Sequence, residues 1–324
     1  MTETQDRKLP LEGTRVVEFV HMVMGPTCGM VLADLGAEVI KVEPPQGDNT
    51  RRLLGSGAGF FPLFNRNKKS IALDLKSPQG LALARDLVCR ADVLVEGFRP
   101  GVMESLGIGP EVCLKLCPSL VYGRVTGWGQ TGPLSQAAGH DINYVALSGA
   151  LHSNRRAGEA PTVAPGLIGD FGGGGMLLAF GVLAALAHAK QTGEGQVVDA
   201  AITDGAALLT ALIQGWHSAG LWSNEAGTNN GDGGAHFYNT YQCADGKWLA
   251  LHMSSPPKFW ENLATAVGQP DMLSLPAFES RDARIANYEK VAAFLAPLFA
   301  AKPRAEWCAT LEQLEVLGRR GACQ

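Results

Sequence analysis

The segment from Thr14 to Val42 constrains the fold more than any other. Thr14–Val20, TRVVEFV, is a short apolar run that reads as a buried strand. Gly25-Pro26 marks a turn into a helix over Thr27–Leu35, and Gly36 sits where a helix C-terminus favours glycine. Ala37–Val42, AEVIKV, reads as a second strand, ended by Glu43-Pro44-Pro45. Strand, helix and strand within about 30 residues fold as a parallel βαβ unit with a right-handed crossover. The alternation continues with a strand at Ser70–Leu75, a helix at Gln79–Ala91, and strands at Asp92–Glu96 and Leu120–Thr126. Gln46–Gly59 reads as a loop around Arg51 and Arg52. The expected class is α/β, a large open, mostly parallel, Rossmann-like sheet with helices on its faces. Ligands of such sheets bind beyond the carboxyl ends of the strands, where Arg51 and Arg99 fall. Neither belongs to a GxGxxG fingerprint, so no nicotinamide site is expected.

The second half changes character. A turn at Gly193-Glu194-Gly195 leads into a short strand, Gln196–Asp199, and an apolar helix, Gly205–Ala219. Gly227–Gly234, GTNNGDGG, is a flexible polar loop, read as a linker between lobes or, equally, as the cover over a site that the family resemblance set out below implies. His236–Cys243 and Lys247–His252 then form a hairpin around Ala244-Asp245-Gly246. Helices are expected over Lys258–Val267, Asp282–Phe299 and Pro303–Leu314. The division is therefore a large α/β domain over 1–224 and a smaller α+β domain over 225–324. The net charge of −4 gives no basic field for nucleic acid. Seven scattered cysteines without zinc spacing read as reduced thiols, and the polar start MTETQDRKLP has no signal core, so a cytoplasmic protein is expected. Residues 171–189 carry no Asp, Glu, Lys or Arg, but four of the first five positions are glycine, which suits a buried core helix better than a membrane span.

Two groups suited to moving protons, His140 and Asp170, lie 30 residues apart where loops meet expected helices. Asp170 precedes a long apolar run and reads as an N-cap. Gly172–Gly175 would then bare backbone donors to a ligand at the positive end of a helix. The plainer alternative is a capping Asp beside tightly packed glycines.

The order of LEGTRVVEF, GPTCGMVLADLGAEVIKVEPPQGDNTR, NRNKKSIALDLKSPQG, ADVLVEGFRPGVMESLGIG, TGWGQTGP, GHDINY, GDFGGGG, GEGQVVDAAITDGAA and GGAHFYNTYQCADGKW resembles the family III CoA-transferase superfamily. GHDINY makes it similar to the α-methylacyl-CoA racemase branch in particular. The resemblance implies an acyl-CoA substrate, with CoA along Leu73, Asp74, Leu75 and Lys76, along Gly97, Phe98 and Arg99, and along Gly139, Ile142, Asn143 and Tyr144. It implies His140 and Asp170 as the two bases of an α-proton transfer through an enolate, epimerising 2-methylacyl-CoA thioesters in lipid metabolism with no metal or redox cofactor. A histidine serves as base in one direction and acid in the other. Burial of Asp170 would raise its pKa, whereas the helix end would lower it and stabilise the enolate oxygen.

There are departures from the racemase pattern. Racemase relatives carry an Arg near Pro44 and another near Ser105, and a Glu within the segment Met253–Pro257 that partners the histidine; here Ser254 and Ser255 stand in that segment. Asp141 is the residue expected to orient His140 instead. The chain also stops at Gly321-Ala322-Cys323-Gln324, where relatives continue into a segment returning to the large lobe. The expectation is a homodimer of interlocked rings, with lowered stability and activity for this short form. Two alternatives remain: a CoA-transferase using Asp170 as nucleophile, and a catalytically impaired CoA-binding homologue.

Overall fold

The computed structural model describes residues 8–53, 57–252 and 257–314. Its centre is a six-stranded sheet formed by β1 (Arg15–Phe19), β2 (Glu38–Glu43), β3 (Lys68–Ala72), β4 (Val93–Glu96), β5 (Val121–Thr126) and β6 (Val197–Ala201). The order is β3-β2-β1-β4-β5-β6, and every pairing is parallel. The strand expected at Gln196–Asp199 is the edge strand β6 of this sheet.

Strand periodicity assigns the two faces. Val16, Val93, Val95, Val121 and Val125 point to one side. There α1 (Met24–Asp34) supplies Cys28 and Leu32, and the later helix Leu177–Thr192 supplies Leu178, Val182 and Leu186. Val17, Phe19, Leu94 and Tyr122 point to the other side, against Ala84 and Val88 of the helix Pro78–Cys89 and against Met103, Ile108 and Cys113. Burial on both faces explains why β1, β4 and β5 read as continuous apolar runs rather than alternating ones.

The loop expected over Gln46–Gly59 is more structured than its composition suggests. A 3₁₀ turn at Asn49–Arg52 is capped by Asp48, which accepts the Thr50 amide at 2.8 Å, and α2 (Gly57–Phe64) follows despite Pro62. Propensity yields here to packing: Phe64 is 4% exposed and meets the Phe171 ring at 5.2 Å, and the Arg51 guanidinium lies 3.8 Å from the Phe61 centroid. The remaining helices of this part are α3 (Pro78–Cys89), α4 (Val102–Ser105), α5 (Pro110–Leu116), α6 (Asp141–Leu147), α7 (Ala150–Ser153), α8 (Leu177–Thr192), α9 (Ile202–Leu209) and α10 (Ala211–Ser218). The single helix expected over Gly205–Ala219 is two, α9 and α10. Thr210 lies at the break, and its hydroxyl donates to the carbonyls of Ala206 and Ala207.

Among the described residues, Leu167–Thr192 is the one helical stretch long and apolar enough to cross a membrane. Its α8 portion presses Leu178 and Val182 so closely onto β5 that a Cβ on Gly123 would stand 3.0 Å from Val182. That is the seating of a core helix.

The chain forms two compact units, one of Met1–Leu151 with Val163–Leu212 and one of His152–Thr162 with Ile213–Gln324. The second is built on an antiparallel hairpin, β7 (Tyr238–Gln242) and β8 (Trp248–His252), with Tyr241 opposite Leu249. Gly246 supplies the left-handed residue of its turn at φ 74. Around the hairpin pack α11 (Pro257–Ala266), α12 (Arg281–Ala286), α13 (Tyr288–Phe299) and α14 (Arg304–Gln313). Trp307, 2% exposed, donates its indole N–H to the Phe299 carbonyl at 2.8 Å. The helix expected over Asp282–Phe299 is divided at Asn287 into α12 and α13.

Candidate active site

Asp170 is not an N-cap. Gly166, at φ 65, starts a π-helical stretch over Leu167–Met176 that runs on into α8, and Asp170 lies inside it. The Phe171 amide donates five residues back to the Gly166 carbonyl at 2.9 Å. A π turn of this kind is uncommon and recurs at functional sites. The glycines that follow serve packing. A Cβ on Gly173 would stand 2.7 Å from the Ala206 nitrogen of α9, and one on Gly175 would stand 2.6 Å from Thr27 Cβ of α1. Backbone therefore meets backbone here, as the plainer sequence reading had it, in place of the bared donors of the other.

His140 is the exposed residue at the head of α6, extended at φ −132, and its amide donates to Asn143 Oδ1 at 3.0 Å. The next residue, Asp141, turns elsewhere: its Oδ1 accepts the Asp170 amide at 2.8 Å. Asp141 was expected to orient His140, and the partner the structure gives it is Asp170. Neighbouring residues on a helix do not face one another, which leaves Asp141 aimed at the π turn. A side chain on Gly169 would collide with that carboxylate oxygen. With its amide so occupied, Asp170 does not offer that N–H to a ligand.

Burial pushes the Asp170 carboxyl up to about 6; the neighbouring Asp141 adds to the rise and His140 opposes it. Burial is thus the leading influence on this carboxyl, which does not cap a helix. Tyr144, 7% exposed, belongs to the same neighbourhood. Burial raises its phenol, Asp170 adds to the rise, and Arg99 works against it. Its ring meets Trp128 edge-on at 4.6 Å and lies against Gly127 and Gly139, at both of which a Cβ would collide with it. His140, Asp141, Tyr144, Asp170 and Arg99 thus share one electrostatic environment.

A cavity of about 630 Å³ opens beyond the carboxyl ends of β1, β2, β3 and β4. Leu73, Asp74, Leu75, Lys76 and Phe98 line it, together with Pro44 and Pro45. This is the crevice expected of an open parallel sheet, where the strand order reverses across β1 and β4. Gly97, Arg99, Gly139, Ile142 and Asn143 do not line it. Arg99 is exposed one residue past Phe98, Gly139 packs on Tyr144, and Ile142 and Asn143 are exposed on α6.

Sequence reasoning passed over the charges beneath this cavity. Lys41 is 1% exposed; its ammonium lies 3.0 Å from Asp48 Oδ2 and donates to the Val20 carbonyl at 2.6 Å. Glu43, 3% exposed, accepts from Arg51 at 2.6 and 2.9 Å, from Ser70 at 2.7 Å and from the Asp48 amide at 2.7 Å. Burial opposes its ionisation, but these donors outweigh it and bring Glu43 down to about 2. Arg51, which the sequence places in a loop beyond the strand ends, is therefore committed to Glu43. The available signal was a lysine and a glutamate two residues apart among the valines at the end of β2.

A larger cavity of about 920 Å³ lies in the second unit, bounded by Arg156, Tyr238, Lys290 and the Gly231–Gly234 turn. It holds none of the expected site residues. Within the Gly227–Gly234 loop, Asn229 is buried and tied to Ser223 and Asp232. Ser254 and Ser255, and the chain end beyond residue 314, lie outside the described residues.

Sheet order and the switch-point cavity define a doubly wound α/β protein with a crevice at the carboxyl edge of its sheet. The chain belongs to CoA-transferase family III, whose description matches residues 11–320. It is 43% identical over 298 residues to the alpha-methylacyl-CoA racemase of Mus musculus, covering 92% of this chain and 74% of the relative. It is 41% identical over 300 residues to the enzyme of the same name from Homo sapiens, covering 93% and 74%. The crystal structure of a CaiB/BaiF family protein from Brucella suis superposes with a TM-score of 0.84 at 28% identity, covering 96% of this chain and 83% of that one.

Proposed function

We propose that this chain epimerises 2-methylacyl-CoA thioesters by two-base transfer of the α-proton, with His140 and Asp170 on opposite faces of the reacting carbon. What supports this reading is that Asp170 sits inside a π turn pinned by Asp141 and shares one electrostatic environment with His140, its carboxyl raised by burial to about 6. A carboxyl that gives a proton back near neutral pH needs such a raised pKa. A thioester lowers the acidity barrier at its α-carbon; the residues must then take the proton from one side and deliver another from the opposite side. Tyr144, packed against Gly139 and close in charge to Asp170, holds the α6 end in place. CoA would run from the Leu73–Lys76 cavity past Gly97, Phe98 and Arg99 to the Gly139–Tyr144 turn. No metal or redox group is required for this chemistry.

The names of the mouse and human relatives support the substrate class. The family's name keeps a second reading in view, in which Asp170 is the nucleophile of a CoA-transferase. His140, a second proton-moving group that a nucleophilic mechanism does not need, favours the racemase reading. Borohydride or hydroxylamine trapping separates the two: the racemase leaves no covalent adduct on Asp170 after turnover with acyl-CoA, and an adduct there would replace it with the transferase.

The proposed assembly is a homodimer. Leu167, Phe180, Leu208, Leu209 and Leu212 are 64%, 70%, 61%, 56% and 63% exposed on the π segment, α8, α9 and α10. Apolar exposure on this scale favours association.

A further inference from the structure

We propose that Cys89 and Cys117 are a thiol pair that small disulfides oxidise to an intramolecular disulfide, at the edge of the sheet opposite the cavity. Cys89 is the last residue of α3 and is exposed; Cys117 caps the end of α5 and is half-buried. Both are free thiols, and the Cys117 S–H donates to the Cys89 sulfur at 2.8 Å. Each sulfur sits on a fixed helix end. The Cys117 amide donates to the Cys113 carbonyl at 2.8 Å, and the Leu120 amide donates to the Cys117 carbonyl at 3.0 Å. The Ala91 amide donates to the Val88 carbonyl at 3.1 Å just past Cys89. The two sulfurs therefore lie in contact at the ends of α3 and α5.

Topology separates this pair from the site above. α3 begins just after the cavity-lining Leu73–Lys76 segment and runs back to the start of β4, while Cys117 stands four residues before β5 begins at Val121. Both sulfurs lie at the amino edge of the parallel sheet. The third cysteine of the cluster is a bystander: Cys113 is 2% exposed and its thiol donates to the Ile108 carbonyl at 3.3 Å.

The exchange balances with a low-molecular-weight disulfide such as glutathione disulfide as the oxidant. The exposed Cys89, as thiolate, attacks one sulfur of that disulfide, forms a mixed disulfide and releases one thiol. Cys117 then gives up its proton and attacks the Cys89 sulfur, expelling the second thiol. Two protein thiols become one S–S bond, and one small disulfide becomes two thiols. Burial and the hydrogen bond to Cys89 push the Cys117 thiol up to about 12, so the exposed Cys89 makes the first attack, and Cys117, already in contact with the Cys89 sulfur, makes the second. The bond closes a loop 117 − 89 = 28 residues apart in sequence and joins α3 to α5.

The test uses the whole chain and glutathione disulfide. After oxidation, a non-reducing digest should contain one peptide pair joined through Cys89 and Cys117. The melting temperature should rise by about 5 °C and fall back with dithiothreitol, as expected for a cross-link closing a loop of this size. Cys117→Ser should accumulate glutathione on Cys89, and Cys113→Ser should leave the cross-link intact. If Cys117→Ser does not fold, Cys89→Ser, at an exposed position, should abolish the cross-link in its place. Free alkylation of both thiols after oxidation would overturn the proposal, and so would a lasting glutathione adduct on Cys89 of the unaltered chain. Neither outcome bears on the racemase reading, since every readout is a mass or a melting temperature.

Discussion

Asp170 is the residue on which the proposed chemistry turns. His140→Ala and Asp170→Ala should each slow racemisation by at least about 10²-fold while leaving CoA thioester affinity nearly unchanged, since one acid–base group is worth that much. Racemisation at the parental rate in either variant removes that residue from the mechanism. The raised carboxyl also makes a stability statement. A carboxyl shifted from 3.8 to about 6 stabilises the fold fully below pH 3.8, and this contribution is lost as pH rises through about 6. Asp170→Asn should therefore unfold at higher denaturant than the parent at pH 7.5, by about 1–3 kcal/mol after solvent screening, and the gain should vanish near pH 3.5. Equal midpoints for parent and variant at pH 7.5 would contradict the shift. Arg99→Ala should weaken CoA thioester binding by about 1.5–3 kcal/mol, measured by calorimetry, with turnover at saturation unaltered.

At the level of elements, the strands, α3 and the hairpin were legible in the sequence because each carries its own period and its own stop signal, as Gly36 and Gly246 do. The π turn was not. Its glycines read as a helix start, whereas their spacing answers to α1 and α9, far away in sequence; Gly173 needs the Ala206 backbone as its neighbour before its role can be seen. The same limit hid α2, whose Gly57, Gly59 and Pro62 argue against a helix until Phe64 has a core to enter. Asp141 is a third case: chain adjacency suggested His140, and the fold supplied Asp170. His140 was visible at the loop–helix junction where it heads α6, whereas Asp170, read at such a junction, lies inside the π segment, and the burial of Lys41 and Glu43 under the cavity could not be read from the strand that holds them. Gly173→Ala should cost at least about 1–3 kcal/mol by denaturant titration, the usual cost of overpacking where backbone blocks relaxation. An unchanged midpoint would mean that the π segment and α9 part easily.

The whole molecule is two compact units, and the first carries the cavity together with His140 and Asp170. The proposed dimer predicts twice the 34.2 kDa chain mass in sedimentation equilibrium; a lone 34.2 kDa species at micromolar concentration would remove it. The central claim is that this unit moves a proton on and off the α-carbon of a 2-methylacyl-CoA thioester. The most direct measurement is deuterium incorporation at that carbon in heavy water, beginning from a single epimer. The account predicts that deuterium enters as the two epimers equalise, and that both processes fail together in Asp170→Ala. Retention of the α-proton and of the starting configuration by the unaltered chain would contradict it.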